Sequence, residues 1–168
     1  MLIFIIGYMA AGKTVFGRRL ANELNYRFLD LDELIEERHA CSISDYFLEF
    51  GEESFRHIER ATLLELLNDE NTVIATGGGT PCYLDNMSRM NEAGLTLFLD
   101  TKPEVIIQRL RIERTLRPLL NAVADDQLSD YINMHYSERR KCYEQSKKLL
   151  DPMKDDDVDE FILFAKSI

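Results

Sequence analysis

Residues 7–14 read GYMAAGKT, and the prediction of the fold begins with this segment. It follows a continuous apolar run of strand length, Leu2–Ile6, and it leads into residues 13–24, where apolar residues recur at helical spacing. A strand before and a helix after are the context that a phosphate-binding P-loop requires. Gly7 and Gly12 let the backbone turn its N–H groups inward, so that these donors and a helix N-terminus surround phosphate oxygens. The stretch therefore predicts a P-loop.

Two side chains of this loop carry the chemistry. Lys13 adds a positive charge that reaches the outer phosphates, and Thr14 offers a hydroxyl ligand for Mg²⁺, a hard cation that takes oxygen ligands. The motif alone leaves open a glycine-containing turn with a surface lysine. The flanking strand and helix favour the phosphate site.

The length and composition predict one soluble globular domain spanning residues 1–168. The chain is 45% hydrophobic and 30% charged, which is an ordinary composition for a folded protein. The size suits a single core. We therefore expect folding without a partner, and a monomer.

The charge balance excludes two classes of partner. With 30 acidic residues against 20 Lys and Arg, the formal net charge is −10, and such a field repels nucleic acid and anionic membranes. Exposed charges more than about 8 Å apart are screened at physiological salt, so an anionic ligand of the P-loop depends on nearby arginines.

Cysteine usage and hydropathy indicate the cytoplasm. Cys41, Cys82 and Cys142 are widely spaced and lack the spacing of a metal site, so we interpret them as reduced thiols. No basic segment precedes the first apolar run, and no run reaches the length of a membrane span. We predict a cytoplasmic protein.

Strand and helix patterns alternate along the whole chain, which predicts an α/β fold with one parallel sheet covered by helices. The predicted strands are 2–6, 26–30, 71–75, 96–100 and 148–150. The predicted helices are 13–24, 33–38, 42–68 with a break at Gly51, one that begins at Pro103, 125–146 and 155–164.

Asp30 and Asp32 follow the second strand, at the edge of an open α/β sheet where ligands usually bind. In a phosphoryl-transfer site one carboxylate holds Mg²⁺, directly or through water, while the other orients an attacking hydroxyl or accepts its proton. The alternative is an acidic N-cap and first turn of the next helix. The nearby P-loop favours the functional interpretation.

Three consecutive glycines, Gly77, Gly78 and Gly79, follow the third strand. They cost chain entropy if they serve only as a turn, and they are useful where a ligand approaches the backbone closely. A flexible connection is the alternative.

Arginines appear in two settings. Arg56 stands four residues after Glu52, and from spacing alone a surface ion pair is the simpler interpretation. A second group, Arg109, Arg111, Arg114 and Arg117, falls within nine residues. That composition predicts a mobile, positively charged lid over transferring phosphates, with a solvated helix face as the alternative.

The ordered set of motifs resembles shikimate kinase over essentially the whole chain. The motifs are GYMAAGKT at 7–14, Asp30-Leu31-Asp32, GEESFRHIE at 51–59, Gly77 to Gly79, RPLL at 117–120, and Arg139 four residues before Tyr143. The resemblance implies a three-layer P-loop kinase fold of the nucleoside-monophosphate-kinase type, with a five-stranded parallel sheet. It also implies ATP-dependent phosphorylation of the 3-hydroxyl of shikimate, a step of chorismate and aromatic amino-acid biosynthesis.

The resemblance also implies the roles of individual residues. The catalytic residues would be Lys13, Asp32 and Arg117. One Mg²⁺ per subunit would be held by Thr14 and, through water, by Asp30. ATP would be bound by Ala10, Ala11, Gly12, Lys13, Thr14, Val15, Arg109 and Arg117. Shikimate would be bound by Asp32, Arg56, Gly77, Gly78, Gly79 and Arg139, with the arginines on its carboxylate. The lid would span about 111–124 and the substrate-binding helical region about 32–60.

This assignment changes our interpretation of Arg56. Carboxylate recognition suits the arginine fork, and a charge-assisted hydrogen bond contributes about 1.5 to 3 kcal/mol, against a few tenths for an exposed pair.

The sequence departs from the family pattern at three positions. Ala10 stands where the family usually has another loop glycine, and Val15 replaces a frequent hydroxyl residue. Lys141 occupies a place usually given to proline, which leaves Arg140 as an alternative to Arg139. The adenine contacts stay open between Arg109, Arg111 and the segment 151–153.

Three rival functions remain at this point. A kinase of the same architecture could act on gluconate or on a nucleoside monophosphate. A module that senses ATP without transferring phosphate would retain the P-loop but would not need Asp32 or the arginine-rich lid. A nucleic-acid-binding ATPase is disfavoured by the acidic balance.

Overall fold

A computed structural model describes residues 1–113, 123–124 and 126–167, and these residues form five strands and seven α-helices in alternation. The strands are β1 (Leu2–Ile6), β2 (Arg27–Asp30), β3 (Thr72–Ala75), β4 (Leu95–Leu99) and β5 (Lys148–Leu150). The helices are α1 (Lys13–Leu24), α2 (Leu31–His39), α3 (Ile43–Leu66), α4 (Asn86–Ala93), α5 (Pro103–Glu113), α6 (Leu128–Tyr143) and α7 (Asp155–Lys166). A short 3₁₀ helix, Thr80–Cys82, follows β3.

The strands form one sheet in the order β2-β3-β1-β4-β5, and every pair is parallel. This confirms the predicted five-stranded parallel sheet. The apolar run Leu2–Ile6 lies in the centre and is buried along its whole length. A strand covered on both faces needs such a continuous apolar run, which explains why β1 shows no polar alternation.

Helices cover both faces of the sheet. Phe4 and Ile6 of β1 join a core cluster with residues of α2 to α6, while Ile3 and Ile5 join a second cluster with α1 and α7. Successive side chains of a strand point to opposite faces, so the two clusters are separated by the sheet. The result is the three-layer arrangement that the sequence predicts.

The helix ends have local causes. Asn25 and Ala40 adopt left-handed conformations, with φ of 55° and 50°, and they end α1 and α2. The Ser42 hydroxyl caps α3 by accepting from the Asp45 N–H at 3.0 Å. Gly51, with φ of 79°, interrupts α3 where the sequence predicts a break.

One expectation about packing is wrong, and one helix was not anticipated. The apolar spacing in residues 13–24 groups Val15 with Phe16 and Leu20, but Val15 is 78% exposed, because Phe16 and Leu20 define the face toward the sheet. No clear sequence signal indicated α4, since only Met87 and Met90 in that helix are buried apolar side chains.

The predicted lid at about 111–124 lies mostly outside the described residues. Only its first three residues, at the end of α5, and residues 123–124 are described, and Arg114 and Arg117 are not among them. The division into a lid and a substrate-binding region therefore stays a prediction. Among the described helices, none combines the length and the apolar character needed to span a bilayer.

Candidate active site

Three loops meet at the carboxyl edge of the sheet. β1 leads into residues 7–14, β2 into Asp30 and Asp32, and β3 into the three glycines. Ala75 of β3 lies beside Asp30 on one side and beside Ile5 on the other. This register brings the P-loop, the paired carboxylates and the glycines together, as expected at the edge where open α/β sheets bind ligands.

The P-loop backbone contains an unusual alanine. Gly12 has φ of 97°, which suits glycine, but Ala10 has φ of 56° and carries a Cβ into the left-handed region. A left-handed residue with a Cβ costs roughly 1–2 kcal/mol. Ala10, where the family usually has glycine, therefore holds the loop conformation at an energetic cost.

The side chains around the P-loop contact its backbone carbonyls. Lys13 donates from Nζ to the Tyr8 carbonyl at 2.8 Å, and Arg109 donates from Nη1 to the Ala10 carbonyl at 2.8 Å. Arg109 of α5, a predicted ATP contact, thus lies directly against the loop. Both cations are placed where they can exchange a carbonyl for a phosphate oxygen.

Thr14 and Asp30 form the predicted metal pair. The Thr14 hydroxyl donates to Oδ2 of Asp30 at 2.6 Å, while Oδ1 of Asp30 accepts from the Asp32 N–H at 3.1 Å. Asp30 is therefore the N-cap of α2, which was the alternative interpretation of this carboxylate, while its role toward Mg²⁺ stays a prediction.

This oxygen pair fits Mg²⁺ and not a metal held by the protein alone. Within the described part of the chain, no cluster of three or more His, Cys, Asp or Glu could hold a metal ion. Mg²⁺ usually keeps several waters and takes one or two protein ligands plus substrate phosphates. One hydroxyl and one carboxylate beside a P-loop match that requirement.

Arg56 is buried in a hydrogen-bond network. Only 8% of the residue is exposed, and its Nη1 donates to Oε2 of Glu59 at 2.7 Å, while its Nη2 donates to Oε1 of Glu52 at 3.1 Å. Glu59 is fully buried and also accepts from the Thr80 hydroxyl at 2.5 Å. Burial lowers the pKa of the Arg56 guanidinium. The pairing with Glu59 and Glu52 outweighs this effect of burial, so the pKa is raised.

The glycines pack against these same side chains. A Cβ on Gly77 would lie 2.6 Å from Oε1 of Glu59 and 2.8 Å from Oδ1 of Asp32. A Cβ on Gly79 would lie 2.5 Å from Cζ of Arg56. A side chain at Gly77 or Gly79 would therefore require the Glu59, Asp32 or Arg56 side chains to shift, so close packing accounts for these two glycines.

Helix α6 packs against the glycines from the side opposite to α3. The Tyr143 hydroxyl donates to the Gly78 carbonyl at 2.6 Å, and Nη1 of half-buried Arg139 lies 3.5 Å from the position of a Cβ on Gly78. Arg140 instead forms a two-pronged ion pair with Asp100, at 2.6 and 2.7 Å. The structure thus places Arg139, and not Arg140, beside the glycines.

All six predicted acceptor residues line one cleft of about 670 Å³. Its lining includes Thr14, Asp30, Asp32, Arg56, Gly77, Gly78, Gly79 and Arg139. A carboxylate that can meet a hydroxyl and two arginines that can bind an acid therefore line the same space. Val15 follows Thr14 on α1 but is exposed, and Arg117 lies outside the described residues.

Sequence reasoning missed Glu59 and Thr80 as site residues. A signal for Glu59 was present, because it falls on the same helical stripe as the buried Phe55, Thr62 and Leu66. A carboxylate on an apolar stripe needs a buried partner. Arg56, three residues earlier, is that partner.

Comparisons with known proteins agree on one family. A family profile described as shikimate kinase matches residues 9–164. The shikimate kinase of Phocaeicola vulgatus is 46% identical over 147 residues, which are 88% of this chain and 84% of the relative.

Two solved structures share the whole architecture. The crystal structure of the shikimate kinase of Bacteroides thetaiotaomicron has a TM-score of 0.88 at 39% identity, covering 99% of this chain and 97% of the other. That of the Acinetobacter baumannii shikimate kinase, solved in complex with shikimate, has a TM-score of 0.89 at 29% identity, covering 99% and 93%. The chain belongs to the shikimate kinase family.

Proposed function

We propose that this chain transfers the γ-phosphoryl group of ATP to the 3-hydroxyl of shikimate, giving shikimate 3-phosphate and ADP. This reaction is a step of chorismate and aromatic amino-acid biosynthesis. One observation carries the proposal: Asp32, Arg56 and Arg139 line a single cleft that also contains Thr14 of the P-loop. A small acid bound there lies next to a phosphate bound by the loop.

The acceptor carboxylate is held by Arg56 and Arg139. A guanidinium binds a carboxylate through two parallel hydrogen bonds, which fix orientation as well as position. Glu59 and Glu52 hold Arg56 in place before the acceptor arrives. The backbone of the three glycines, with no side chains in the way, is available to the ring hydroxyls.

The P-loop and its neighbours bind ATP. Backbone N–H groups of Ala10, Ala11 and Gly12 and the ammonium of Lys13 surround the phosphates, while Arg109 approaches from α5. Thr14 and, through water, Asp30 would hold one Mg²⁺. When bound, Mg²⁺ neutralises charge on the phosphate oxygens. Arg117 of the predicted lid completes the set of cations.

Asp32 acts on the reacting hydroxyl. Its carboxylate lines the cleft next to Gly77, where it can accept a hydrogen bond from the hydroxyl and turn the oxygen toward the γ-phosphorus. It then accepts the proton as the new P–O bond forms. The transition state of phosphoryl transfer is loose, so positioning and fixed positive charge supply most of the rate.

An acceptor panel tests this function. Purified protein is incubated with MgATP and, separately, with shikimate, gluconate or a nucleoside monophosphate, and release of ADP is followed. Turnover with shikimate, far above the other acceptors and above ATP alone, is the expected result. ATP binding without acceptor-dependent ADP release would instead indicate an ATP-sensing module and overturn the proposal.

We also propose a cytoplasmic monomer without a nucleic-acid or membrane partner. The acceptor-side residues named above line one cleft within a single chain, so the proposed reaction can be completed by one subunit. The three cysteines are free thiols, which supports a reducing compartment. Sedimentation velocity tests the monomer, and cell fractionation tests the location.

A further inference from the structure

Two cysteines lie beside the acceptor cleft without a part in the proposed reaction. Cys82 ends the 3₁₀ helix after the glycines and is exposed, and Cys142 lies on α6 and is half-buried. The Cys82 thiol donates to the Arg139 carbonyl at 3.9 Å, and Cys142 follows Arg139 by three residues, about one turn further along α6. The two cysteines therefore belong to segments that meet at this carbonyl, and both segments carry acceptor contacts.

Cys82 has the surroundings of a reactive thiol. It lines a depression of about 540 Å³ together with Arg56, Gly79 and Arg139, so small molecules reach it from solvent. The nearby Cys142 thiol lowers the pKa of Cys82, burial partly opposes this, and the charges of Arg139 and Arg56 lower it further. An exposed thiol near cations, with a second cysteine on the adjoining segment, is the arrangement found at redox-sensitive cysteines.

We propose that Cys82 is a site of oxidation by hydrogen peroxide, with Cys142 as the resolving cysteine, and that the resulting disulfide weakens binding of the acceptor acid. The chemical step concerns only the two cysteines. The consequence for binding rests on the proposed function, because it assumes that Arg56 and Arg139 hold the acceptor carboxylate.

The chemistry is balanced by peroxide as the oxidant. The Cys82 thiolate attacks one peroxide oxygen, the O–O bond breaks, and with uptake of one proton the products are a sulfenic acid and water. The Cys142 thiol then attacks the Cys82 sulfur, the S–O bond breaks, and hydroxide leaves with the thiol proton as a second water. Two thiols are oxidised by two electrons in total, and one peroxide is reduced.

The disulfide would act through the segments that it joins. Cys82 follows Gly79 by three residues, and Cys142 follows Arg139 by three residues and precedes Tyr143, which donates to the Gly78 carbonyl. A bond between the sulfurs removes the Cys82 donor from the Arg139 carbonyl and draws the 3₁₀ helix toward α6. Arg139 and the glycines are then displaced relative to Arg56.

Peroxide treatment of the full-length protein tests the chemical step. After removal of peroxide, digestion without reductant and mass spectrometry should identify a peptide that links Cys82 to Cys142. The Cys142→Ser variant should instead stop at the sulfenic acid, which dimedone traps on Cys82, and Cys41→Ser should behave as wild type. Absence of the linked peptide in wild type, or dimedone labelling only at Cys41, would overturn the proposal.

Kinetics of the same samples test the consequence. The oxidised wild type should show a KM for shikimate about tenfold higher, the size of effect expected from losing one charge-assisted hydrogen bond, with the KM for ATP unchanged. Dithiothreitol should restore the original value, and oxidised Cys82→Ser should match its own untreated sample. A linked disulfide with an unchanged KM for shikimate would overturn the regulatory part.

Turnover of the untreated, reduced protein separates this inference from the function on which it rests. A reduced protein that fails to phosphorylate shikimate contradicts the proposed function, whereas a reduced protein that is active but insensitive to peroxide contradicts only the redox site.

Discussion

The phosphate-donor side and the acceptor side of the cleft are built in different ways. The donor side is essentially eight consecutive residues, 7–14, whose backbone conformation forms the site. The acceptor side is assembled from Asp32, α3, the three glycines and α6. A contiguous loop carries its geometry in its own sequence, whereas a composite surface exists only when distant segments pack together.

The two sides also hold their cations differently. Lys13 and Arg109 contact backbone carbonyls, which are neutral partners that a phosphate can replace. Arg56 is paired with the buried carboxylate of Glu59, which stays in place when an acceptor binds. The carbonyl contacts on the donor side can be exchanged for phosphate oxygens, while the Arg56–Glu59 pair preorganises the acceptor side.

The largest effect is expected at the donor side from Lys13→Met. Loss of the ammonium should lower kcat about 10⁴-fold, because fixed charge supplies most of the catalysis in phosphoryl transfer. Binding of shikimate, measured by calorimetry without ATP, should remain, and circular dichroism should show a folded protein. If shikimate binding is lost as well, the two sides are not independent.

Asp32→Asn should lower kcat about 10³-fold, within the range for loss of a positioned general base. The KM for ATP should change far less, since Asp32 faces the acceptor. The matched control is Glu37→Gln on the same helix, an exposed carboxylate that is not part of the cleft lining. Unchanged turnover of Asp32→Asn would remove Asp32 from the chemistry.

Glu59→Gln tests preorganisation of the acceptor side. A glutamine at this position offers one oxygen to two donors, Arg56 and Thr80, and leaves a buried guanidinium without its closest charge. We expect a loss of about 3 kcal/mol in the free energy of unfolding, as for a broken buried ion pair. The KM for shikimate should rise while that for ATP stays constant.

Glu52→Gln is the matched control for this prediction. Glu52 binds the same guanidinium, but half of its side chain is exposed. The expected loss of stability is below about 1 kcal/mol, as for solvent-exposed pairs. Urea denaturation measures both variants, and equal losses would show that burial of Glu59 does not matter.

The smallest effect is expected from Ala10→Gly in the P-loop. Glycine removes the left-handed strain at φ of 56°, and this gain exceeds the extra entropy of the unfolded chain, so the variant should be more stable by about 0.5 kcal/mol. Ala11→Gly, at a buried position without positive φ, should be less stable. A loss of stability in Ala10→Gly would show that the loop is not strained.

Much of the fold could be predicted because its signals are local. The buried run Leu2–Ile6, the P-loop after it and the break at Gly51 each follow from the residues at those positions. Helix α4 could not be predicted, because its two buried methionines are too few to show a helical repeat of apolar residues. Val15 was misplaced because spacing alone does not say which apolar residue of a helix turns outward.

The residues alone were enough to predict the P-loop, the order of the five strands, and the candidates Asp30, Asp32 and the three glycines. The folded structure was needed to show that Arg56 is buried against Glu59 as well as paired with Glu52, that Arg139 and not Arg140 lies beside Gly78, and that Cys82 reaches the helix that carries Cys142. The difference lies in how far apart in sequence the interacting residues are. Backbone conformation and helical period depend on neighbours in sequence, whereas burial and pairing of a side chain depend on segments that meet only after the sheet has formed.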